Sequence, residues 1–270
     1  MVSFYNSELT RLATYLKLNI YNIACGTFTG EWSCSLPFNR LIYIFQGSSV
    51  PSRISNSETT FEMTSGRWLF IPEGMSVQHE QHEGLFLISL HFNLELITGI
   101  EYMHGCSAMY MGSAPEKREE FLSLFETPPK ISDVFMLQKL IWEFIQPIVS
   151  AEGEHLWNQP DHLVRYQTLF DAFRHQPQRD FSVAEMAKIM KMGRESFIKH
   201  FTEEVGTPPK LFFLRHRAAA AAKELLATDD SIREIAERFR FSDEFYFSRF
   251  LKRMTGLSPR EYRNKMSFRQ

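Results

Sequence analysis

An internal repeat in the last third of the chain limits the possible folds more than any other feature. The first copy runs from Phe181 to Phe213, and the second follows about fifty residues later. The aligned pairs include Ser182 with Ser231, Ala187 with Ala236, Phe197 with Phe247, Gly206 with Gly256, and Pro209 with Pro259. Each copy predicts a capped helix, a tight turn and a second helix. This layout is that of a helix-turn-helix, whose second helix enters the major groove of DNA.

The second helix of the second copy has an apolar face and a basic face. Its apolar residues recur at helical spacing: Phe247, Phe250 and Leu251. Ser242 is the expected N-cap, because its hydroxyl can accept a backbone N–H of the first turn. Gly256 is expected to end this helix in the left-handed conformation. Pro259 then begins the next helix at the one position that tolerates proline.

The stretch FSDEFYFSRFLKRMTGLSPREYR resembles the signature of AraC-type transcriptional regulators. The shared features are Phe-Ser, Tyr-Phe, a basic residue, Gly, Ser-Pro and an aromatic-Arg end, and the resemblance covers about 110 C-terminal residues. Lys191 and Arg240 depart from the family pattern, because many members have Gly at these two turn positions. If both residues are left-handed, each turn stores roughly 1 kcal/mol of strain.

The resemblance also implies which side chains contact DNA. The base-reading positions of the family fall on Glu195, Ile198 and Lys199 in the first copy and on Glu244, Phe245, Ser248 and Arg249 in the second. Phosphate contacts are expected from Lys191, Arg194, Arg240, Lys252 and Arg253. Arg and Lys can read guanine, Glu can accept from cytosine, and an apolar side chain can touch a thymine methyl. We expect Arg249 to contribute most.

The charge of the chain is divided between its two parts. Residues 161–270 hold 21 Lys and Arg against 15 Asp and Glu, a net charge of +6, whereas residues 1–160 hold 9 against 17, a net charge of −8. This asymmetry favours one DNA-facing domain and one that avoids DNA. The three cysteines share no metal-like spacing, which favours a reduced, cytoplasmic protein. We find no signal-peptide core and no membrane-length apolar stretch in the sequence.

Residues 1–112 predict many short strands. Runs of β-branched and aromatic residues are separated by turn signals, which is typical of a barrel or jelly roll. The predicted strands lie at 41–45, 59–63, 68–71 and 85–92. The stretch GRWLFIPEGMSVQHEQH resembles the second half of a cupin motif. In the AraC family, a cupin-like barrel is the usual N-terminal partner, where it binds an effector, often with dimerisation.

A metal site is not expected in this barrel. The metal-binding cupins have an earlier His-x-His and Glu set, and here no His precedes His79. The sequence therefore contains His79, His82 and His91 but not the first half of the metal-binding motif. We predict no metal and no cofactor. A small-molecule pocket is the better interpretation. Its candidate residues are Trp32, Arg40, Tyr43, Trp68, His79 and His91, although the aromatic ones are individually as well explained as core. Arg40 could pair with a carboxylate or donate to a sugar.

Two helices are predicted between the barrel and the repeat, at 115–127 and 133–150. The second has one broad apolar stripe, which packs on the barrel or forms a dimer interface, and Pro147 is expected to kink or end it. Residues 151–160 are polar and form the predicted linker. A helix at 162–175 then begins the C-terminal domain. An Ala-rich helix at 210–227 is expected to hold the two recognition helices about one DNA turn apart, roughly 34 Å.

We therefore predict an α+β multidomain protein. Residues 1–150 form a cupin-like β-barrel, or jelly roll, with flanking helices. Residues 161–270 form an all-α domain with helix-turn-helix motifs at about 182–203 and 231–253. The predicted function is that of a non-enzymatic transcription factor. Activation by contact with RNA polymerase is the commoner mode in the family that it resembles. Its expected partners are promoter DNA, a small effector and a second copy of itself. The alternatives are a regulator whose N-terminal domain only dimerises or binds a protein, and a metal-dependent cupin enzyme with a DNA-binding tail.

Overall fold

The chain folds into a β-sandwich followed by a helical half, as seen in a computed structural model. The structure describes residues 13, 16–97, 100–103, 106, 108–125, 128–152 and 163–266. Its described strands are β1 Lys17–Thr27, β2 Gly30–Ser35, β3 Asn39–Gln46, β4 Arg53–Ser55, β5 Thr60–Glu62, β6 Arg67–Ile71, β7 Ser76–Gln81, β8 Phe86–Ile97, β9 Ile100–Glu101 and β10 Tyr110–Ser113. The predicted β-rich half with a jelly-roll-like architecture is confirmed.

Two antiparallel sheets form the sandwich. The larger has the order β1-β8-β3-β6-β10, with β9 paired to β8, and the smaller has the order β2-β7-β4-β5. Strand β3 is buried on both faces because it lies in the middle of the larger sheet under a helix. Ile42 and Ile44 face the smaller sheet, whereas Leu41, Tyr43 and Phe45 face the flanking helices. This alternation decides which candidate residues can reach the sandwich interior.

The flanking helices follow a 3-10 turn at Pro115–Lys117. They are α1 Arg118–Ser123 and α2 Ile131–Glu152. The stripe of α2 packs on the outer face of the larger sheet through Leu140, Ile141 and Phe144. Two effects were predicted for Pro147, a kink or the end of the helix. The helix does not end there, since α2 continues to Glu152. The neighbouring Ile148 is buried against the sheet and anchors the last turn, while Pro147 itself is exposed.

The helical half contains two similar lobes on one long helix. The first lobe consists of α3 Gln167–His175, α4 Val183–Ile189 and α5 Arg194–Val205. The second lobe consists of α7 Ile232–Arg238, α8 Glu244–Thr255 and α9 Pro259–Met266. Between them, α6 Pro209–Ala227 has 19 residues and is therefore about 28 Å long. Ala218, Ala221 and Ala222 are fully buried on it, because only small side chains allow such close packing.

The predicted boundary between the halves is only partly visible. Ala151 and Glu152 form the end of α2 rather than linker, and residues 153–160 lie outside the described residues. The predicted start of the C-terminal domain at 161–162 also lies outside them. In the described part of the chain, no helix is long and apolar enough to cross a membrane.

Candidate DNA-binding surface and barrel cavity

Both repeats build their first helix with the same N-terminal cap. The Ser182 hydroxyl accepts the Glu185 N–H at 3.2 Å, and the Glu185 carboxylate accepts the Ser182 N–H at 2.8 Å. Ser231 and Glu234 form the same reciprocal pair at 3.2 and 2.7 Å. Each pair satisfies two backbone donors that the helix itself cannot satisfy. These bonds lower the pKa of both carboxyls, that of Glu185 to about 2, with Arg179 contributing there.

The turns between the paired helices are left-handed at the two expected positions. Lys191 has φ 54° and Arg240 has φ 55°, and they are the positive-φ non-glycine residues of the described chain. Each residue directly follows the C-cap of the first helix and directs the chain into the second. Both side chains are exposed. The strained turn therefore places a cation at the start of each recognition helix.

The first recognition helix, α5, presents a polar surface. Phe197 and Phe201 are fully buried in the core of the first lobe. Arg194, Glu195 and Lys199 are exposed, and Ile198 is partly exposed. The predicted base-reading residues of the first copy thus share the outer side of one helix.

The second recognition helix, α8, presents aromatic and basic side chains. Phe245 is 68% exposed and Tyr246 is 52% exposed, so neither is needed for the core. Arg249 is exposed, and its guanidinium lies 5.8 Å from the centre of the Tyr246 ring. Glu244 and Ser248 are partly exposed on the same helix. The sequence interpretation did not single out Tyr246, although its position beside Phe245 on a solvent-facing turn is a usable signal.

The cap of α8 differs from the prediction. Asp243, not Ser242, is the N-cap, since its carboxylate accepts the Tyr246 N–H at 2.6 Å. Ser242 instead donates to the Asp243 carboxylate at 2.9 Å. Asp243 has an extended backbone, and its carboxylate, which reaches further than a serine hydroxyl, can accept the backbone N–H groups of the first turn. The one-residue extension of the second turn moves the cap by one position.

The two basic residues at the end of α8 differ in their surroundings. Lys252 and Arg253 are both exposed. Arg253, however, also lines a cleft of about 370 Å³ between α6 and the barrel, together with Leu36 and Glu73. It therefore stands beside the barrel, away from the start of the recognition helix.

Arg217 on α6 connects the two lobes. It is 4% exposed, and its guanidinium donates to the Phe239 carbonyl of the second lobe. Its Nη1 lies 3.9 Å from Asp180 of the first lobe. The guanidinium also stacks 4.2 Å from the centre of the Phe241 ring. A buried cation with partners in both lobes fixes their relative orientation.

A second site lies inside the sandwich, where the two sheets face each other. The cavity is lined by Ala24, Phe28, Trp32, Arg40, Ile42, His79, Gln81, Leu87, Ser89, His91, Lys265 and Met266. It therefore brings together four of the six residues predicted for an effector pocket. Tyr43 and Trp68 lie elsewhere, because they project from the other face of the larger sheet. Tyr43 stacks on Phe121 and Trp68 packs on Phe144.

Arg40 is the centre of the polar contacts in this cavity. Its Nη1 lies 3.2 Å from His79 Nε2 and 3.5 Å from Cys34 Sγ, across the gap between the sheets. His79 stacks on Trp32 with ring centres 4.5 Å apart. Burial, with Arg40 as a second cause, places the pKa of His79 well below its usual value and that of His91 at about 3. Both imidazoles are therefore neutral at physiological pH.

The last helix of the second lobe closes the cavity. Lys265 Nζ lies 3.7 Å from the centre of the Trp32 ring, and the Met266 carbonyl accepts from Asn22 of β1 at 2.7 Å. The turn before α9 also touches β2, near Ser33 and Cys34. Sequence reasoning did not identify Lys265, Met266 or Gln81 as pocket residues. For the two α9 residues no local signal exists, because only the docking of the lobe brings them there. Among the described residues, no group of three His, Cys, Asp or Glu side chains has a metal-binding arrangement.

Comparison with known proteins bears on both halves. The family model of the helix-turn-helix domain matches residues 186–265. An uncharacterised helix-turn-helix transcriptional regulator of Haemophilus influenzae is 31% identical over 103 residues, or 38% of this chain and 35% of that protein. The chain thus spans about a third of the length of the first curated relatives that it matches.

A second relative and a solved structure extend over both halves. The regulator YisR of Bacillus subtilis is 20% identical over 84% of this chain and 86% of its own length. The structure of ToxT from Vibrio cholerae, bound to (E)-4-(8-methylnaphthalen-1-yl)but-3-enoic acid, has a TM-score of 0.61 and 13% identity. It covers 94% of this chain and 100% of that one. The shared fold and the matched helix-turn-helix lead to one conclusion. Residues 186–265 are a helix-turn-helix domain like those of AraC-type transcriptional regulators, in a chain that shares the fold of ToxT.

Proposed function

We propose that this protein is a sequence-specific DNA-binding transcriptional regulator that reads two successive major-groove segments with α5 and α8. The observation that supports this most is the pair of similarly built lobes, each with a capped first helix followed by a recognition helix. Both expose their predicted base-reading sides at the two ends of α6. A helix of about 28 Å, with Arg217 fixing both lobes, suits two reading heads about one DNA turn apart.

The division of roles within the surface follows from chemistry. Arg249 can read guanine through two hydrogen bonds, and Phe245 can contact a thymine methyl. Lys191, Arg194, Arg240 and Lys252 are suited to phosphates. The domain division of the prediction, with residues 161–270 reading DNA and residues 1–150 controlling that reading, is part of this proposal.

The test is selection of genomic DNA fragments by the purified protein, followed by sequencing. We expect an enriched site with two motifs one helical turn apart. Arg249→Ala should weaken specific binding by about 1–3 kcal/mol and relax the sequence preference in one motif. Arg233→Ala is the matched control, because Arg233 is exposed on α7 and bonded to Glu237 at 2.9 Å. Salt-sensitive binding without an enriched motif would refute sequence-specific reading.

We further propose that a small molecule bound in the barrel cavity controls DNA binding. The cavity lies between the β-sandwich and α9 of the second lobe, so a ligand bound there would contact that lobe directly. The ligand-bound ToxT structure, which shares this fold, supports a ligand-responsive N-terminal half. A thermal shift of this protein with a ligand, lost on substitution of cavity residues, would test it. If the N-terminal half only dimerises or binds a protein, no ligand produces such a shift.

Dimerisation and activation complete the proposal. Ile131, Val134 and Phe135 lie exposed along one side of α2 and offer an apolar surface for a second copy. Light scattering of the Phe135→Lys variant, which measures its oligomeric state, tests this surface.

We propose further that the protein works in the cytoplasm, is not an enzyme, and activates transcription by contacting RNA polymerase. Elemental analysis of the purified protein separates this proposal from a metal-dependent enzyme.

A further inference from the structure

A cavity between the barrel and the first-lobe end of α6 is separate from the barrel cavity, and we call it the junction cavity. The barrel lines it with Glu73, Glu95 and Glu101, and the helices line it with Val205 of α5 and Phe212 of α6. The two cavities share no lining residue among those that the structure describes. A ligand in the junction cavity would therefore contact the first lobe rather than the second.

The junction cavity is lined by more carboxylates than cations. Arg174 pairs with Glu95 at 2.8 Å, and Arg215, which lines the cavity, forms no ion pair with a residue in the described ranges. If the charge of Arg215 is counted against Glu73, the ionised Glu101 carboxylate still has no positive counterpart in the described lining. The cavity therefore favours a positively charged ligand.

Asn39 joins the two carboxylates that Arg174 does not pair with. Its Nδ2 donates to the Glu101 carboxylate at 2.8 Å, and its Oδ1 accepts the Glu73 backbone N–H at 2.9 Å. Burial raises the pKa of Glu101 well above its usual value, and the charge of Glu73 raises it further, whereas the hydrogen bonds of Glu101 oppose this. The two negative charges repel each other in a buried place, and a cation between them would remove that cost.

Asn93 supplies an acceptor that the described protein does not use. The residue is 8% exposed, and its Oδ1 is buried without a hydrogen-bond partner among the described residues. Its Nδ2 donates to the Glu73 carboxylate at 3.5 Å, which places the amide beside that carboxylate in the cavity wall. A buried acceptor without a donor costs free energy that a bound donor recovers. The unused oxygen therefore points to a ligand with several N–H donors.

The shape of the junction cavity restricts its ligand to a small organic cation. In the part of the chain that the structure describes, no three His, Cys, Asp or Glu side chains have a metal-binding arrangement. An alkylammonium group instead carries three N–H donors. The cavity volume is about 70 Å³, which accommodates roughly five to seven water-sized groups at roughly 10–15 Å³ each. Val205 and Phe212 offer apolar surface to a short hydrocarbon chain.

We propose that the junction cavity binds a short aliphatic amine, whose ammonium group donates to the carboxylates of Glu73 and Glu101 and to the Oδ1 of Asn93. Its hydrocarbon chain lies along Val205 and Phe212. Because the barrel holds the ammonium and α5 and α6 hold the chain, the bound amine stabilises the contact between the barrel and the first lobe. The consequence for DNA, a change at the site of the first recognition helix, rests on the proposed function.

Calorimetric titration of the full chain compares propylamine, butylamine and 1,4-diaminobutane with 1-butanol, a neutral molecule of the same size as butylamine. We expect saturable binding of an amine and none of butanol. Glu73→Gln should weaken amine binding about tenfold or more, because it removes a charge-assisted contact. Asn93→Leu removes the unused acceptor at similar volume and should weaken binding about threefold. The matched control is Glu83→Gln, which removes an exposed carboxylate from the turn before β8 and should leave binding unchanged.

Four results would overturn the proposal. They are no saturable binding of any of the three amines, equal responses to butylamine and butanol, affinity unchanged in both Glu73→Gln and Asn93→Leu, and preference for potassium or magnesium chloride over every amine. Glu73 is partly exposed, so its variant is expected to fold, and thermal unfolding of each variant confirms this.

Footprinting of the selected DNA site, with and without the amine, separates this proposal from the proposed function. Protection by the ligand-free protein tests DNA reading by itself. An amine effect on the α5 half-site, absent in Glu73→Gln, supports the contact with the first lobe. An effect confined to the α8 half-site would refute that contact.

Discussion

The two helix-turn-helix lobes have the same local construction but different surroundings. Both have a Ser–Glu capping box, a left-handed basic residue in the turn and a left-handed glycine after the recognition helix. The first lobe has its own core of aromatic residues, including Phe170, Phe197 and Phe201. The core of the second lobe is continuous with that of the sandwich, from Ile44 through Ala221 to Phe247.

Among the described residues, the buried apolar core of the first lobe contains no residue of the barrel. Arg174 pairs with Glu95 of β8 at 2.8 Å. A small cavity beside them is lined by Glu73, Glu101 and His216, among others. Polar contacts at a partly exposed boundary contribute less than a shared apolar core. The second lobe is therefore part of the apolar core of the barrel, whereas the first lobe is not.

The largest expected effect comes from the glycines at the ends of the recognition helices. Gly206 and Gly256 have φ of 74° and 81°. A Cβ on Gly256 would lie 3.0 Å from Cys34 Cα and Ser33 O, whereas nothing lies within 4 Å of one on Gly206. Both alanine variants incur roughly 1 kcal/mol for the left-handed conformation. Gly256→Ala should cost about 1–3 kcal/mol more, because barrel and lobe must separate.

Hydrogen exchange measured region by region checks this difference. Gly256→Ala should raise exchange in β2 and α9, and Gly206→Ala should raise it only near α5. Equal effects of the two variants would show that the second lobe is not fixed to the barrel.

Acid should destabilise the contact that His216 of α6 makes with the barrel beside the first lobe. Burial is the main cause that lowers the pKa of His216 to about 4. The charge of Arg174 lowers it further, and the charge of Glu73 opposes this. The folded state therefore excludes a proton that the unfolded state binds below about pH 6.5. The contribution of His216 to the free energy of unfolding is complete above about pH 6.5. It is lost as the pH falls towards 4, by up to about 1.4 kcal/mol per pH unit.

The charged and titratable groups around His216 are Arg174, Arg215, Glu73, Glu95 and Glu101. Thermal unfolding of the wild type and of His216→Gln between pH 7 and 5 isolates its contribution, since His79 and His91 titrate in both proteins. We expect a flatter pH profile for the variant. Superimposable profiles would exclude His216 as the acid-sensitive group.

The smallest effect concerns the strained basic residues of the two turns. Lys191→Gly and Arg240→Gly should each stabilise the protein by about 1 kcal/mol, because glycine adopts the left-handed conformation without strain. Each should also reduce the salt dependence of DNA binding by about one phosphate contact. Urea unfolding and binding titrations at several salt concentrations measure the two effects. If salt dependence changes in one variant only, only that lobe places its turn against a phosphate.

The fold could be predicted from the sequence wherever short-range rules decide. The repeat, the Ser182 and Ser231 caps and the Ala-rich helix follow from residue type and spacing. The left-handed conformation of Lys191 and Arg240 was expected only from the family resemblance. They hold in both lobes, whatever each lobe touches. The apolar stripe of α2 likewise predicted a helix, but not whether it would pack on the barrel or on another chain.

Long-range packing decided the rest. One exception is local: Asp243 rather than Ser242 caps α8, because the one-residue extension of the turn displaces the helix start. Pro147 stays within α2, because Ile148 is fixed by the sheet. Tyr43 and Trp68 face helices while Arg40 faces the interior, since strand alternation depends on register.

Local sequence is sufficient to specify two nearly equivalent helix-turn-helix lobes. Only the tertiary structure decided that the second one closes the barrel with Lys265. The residues that meet there are more than two hundred positions apart, and docking depends on the complementary shape of two surfaces, which no local pattern encodes.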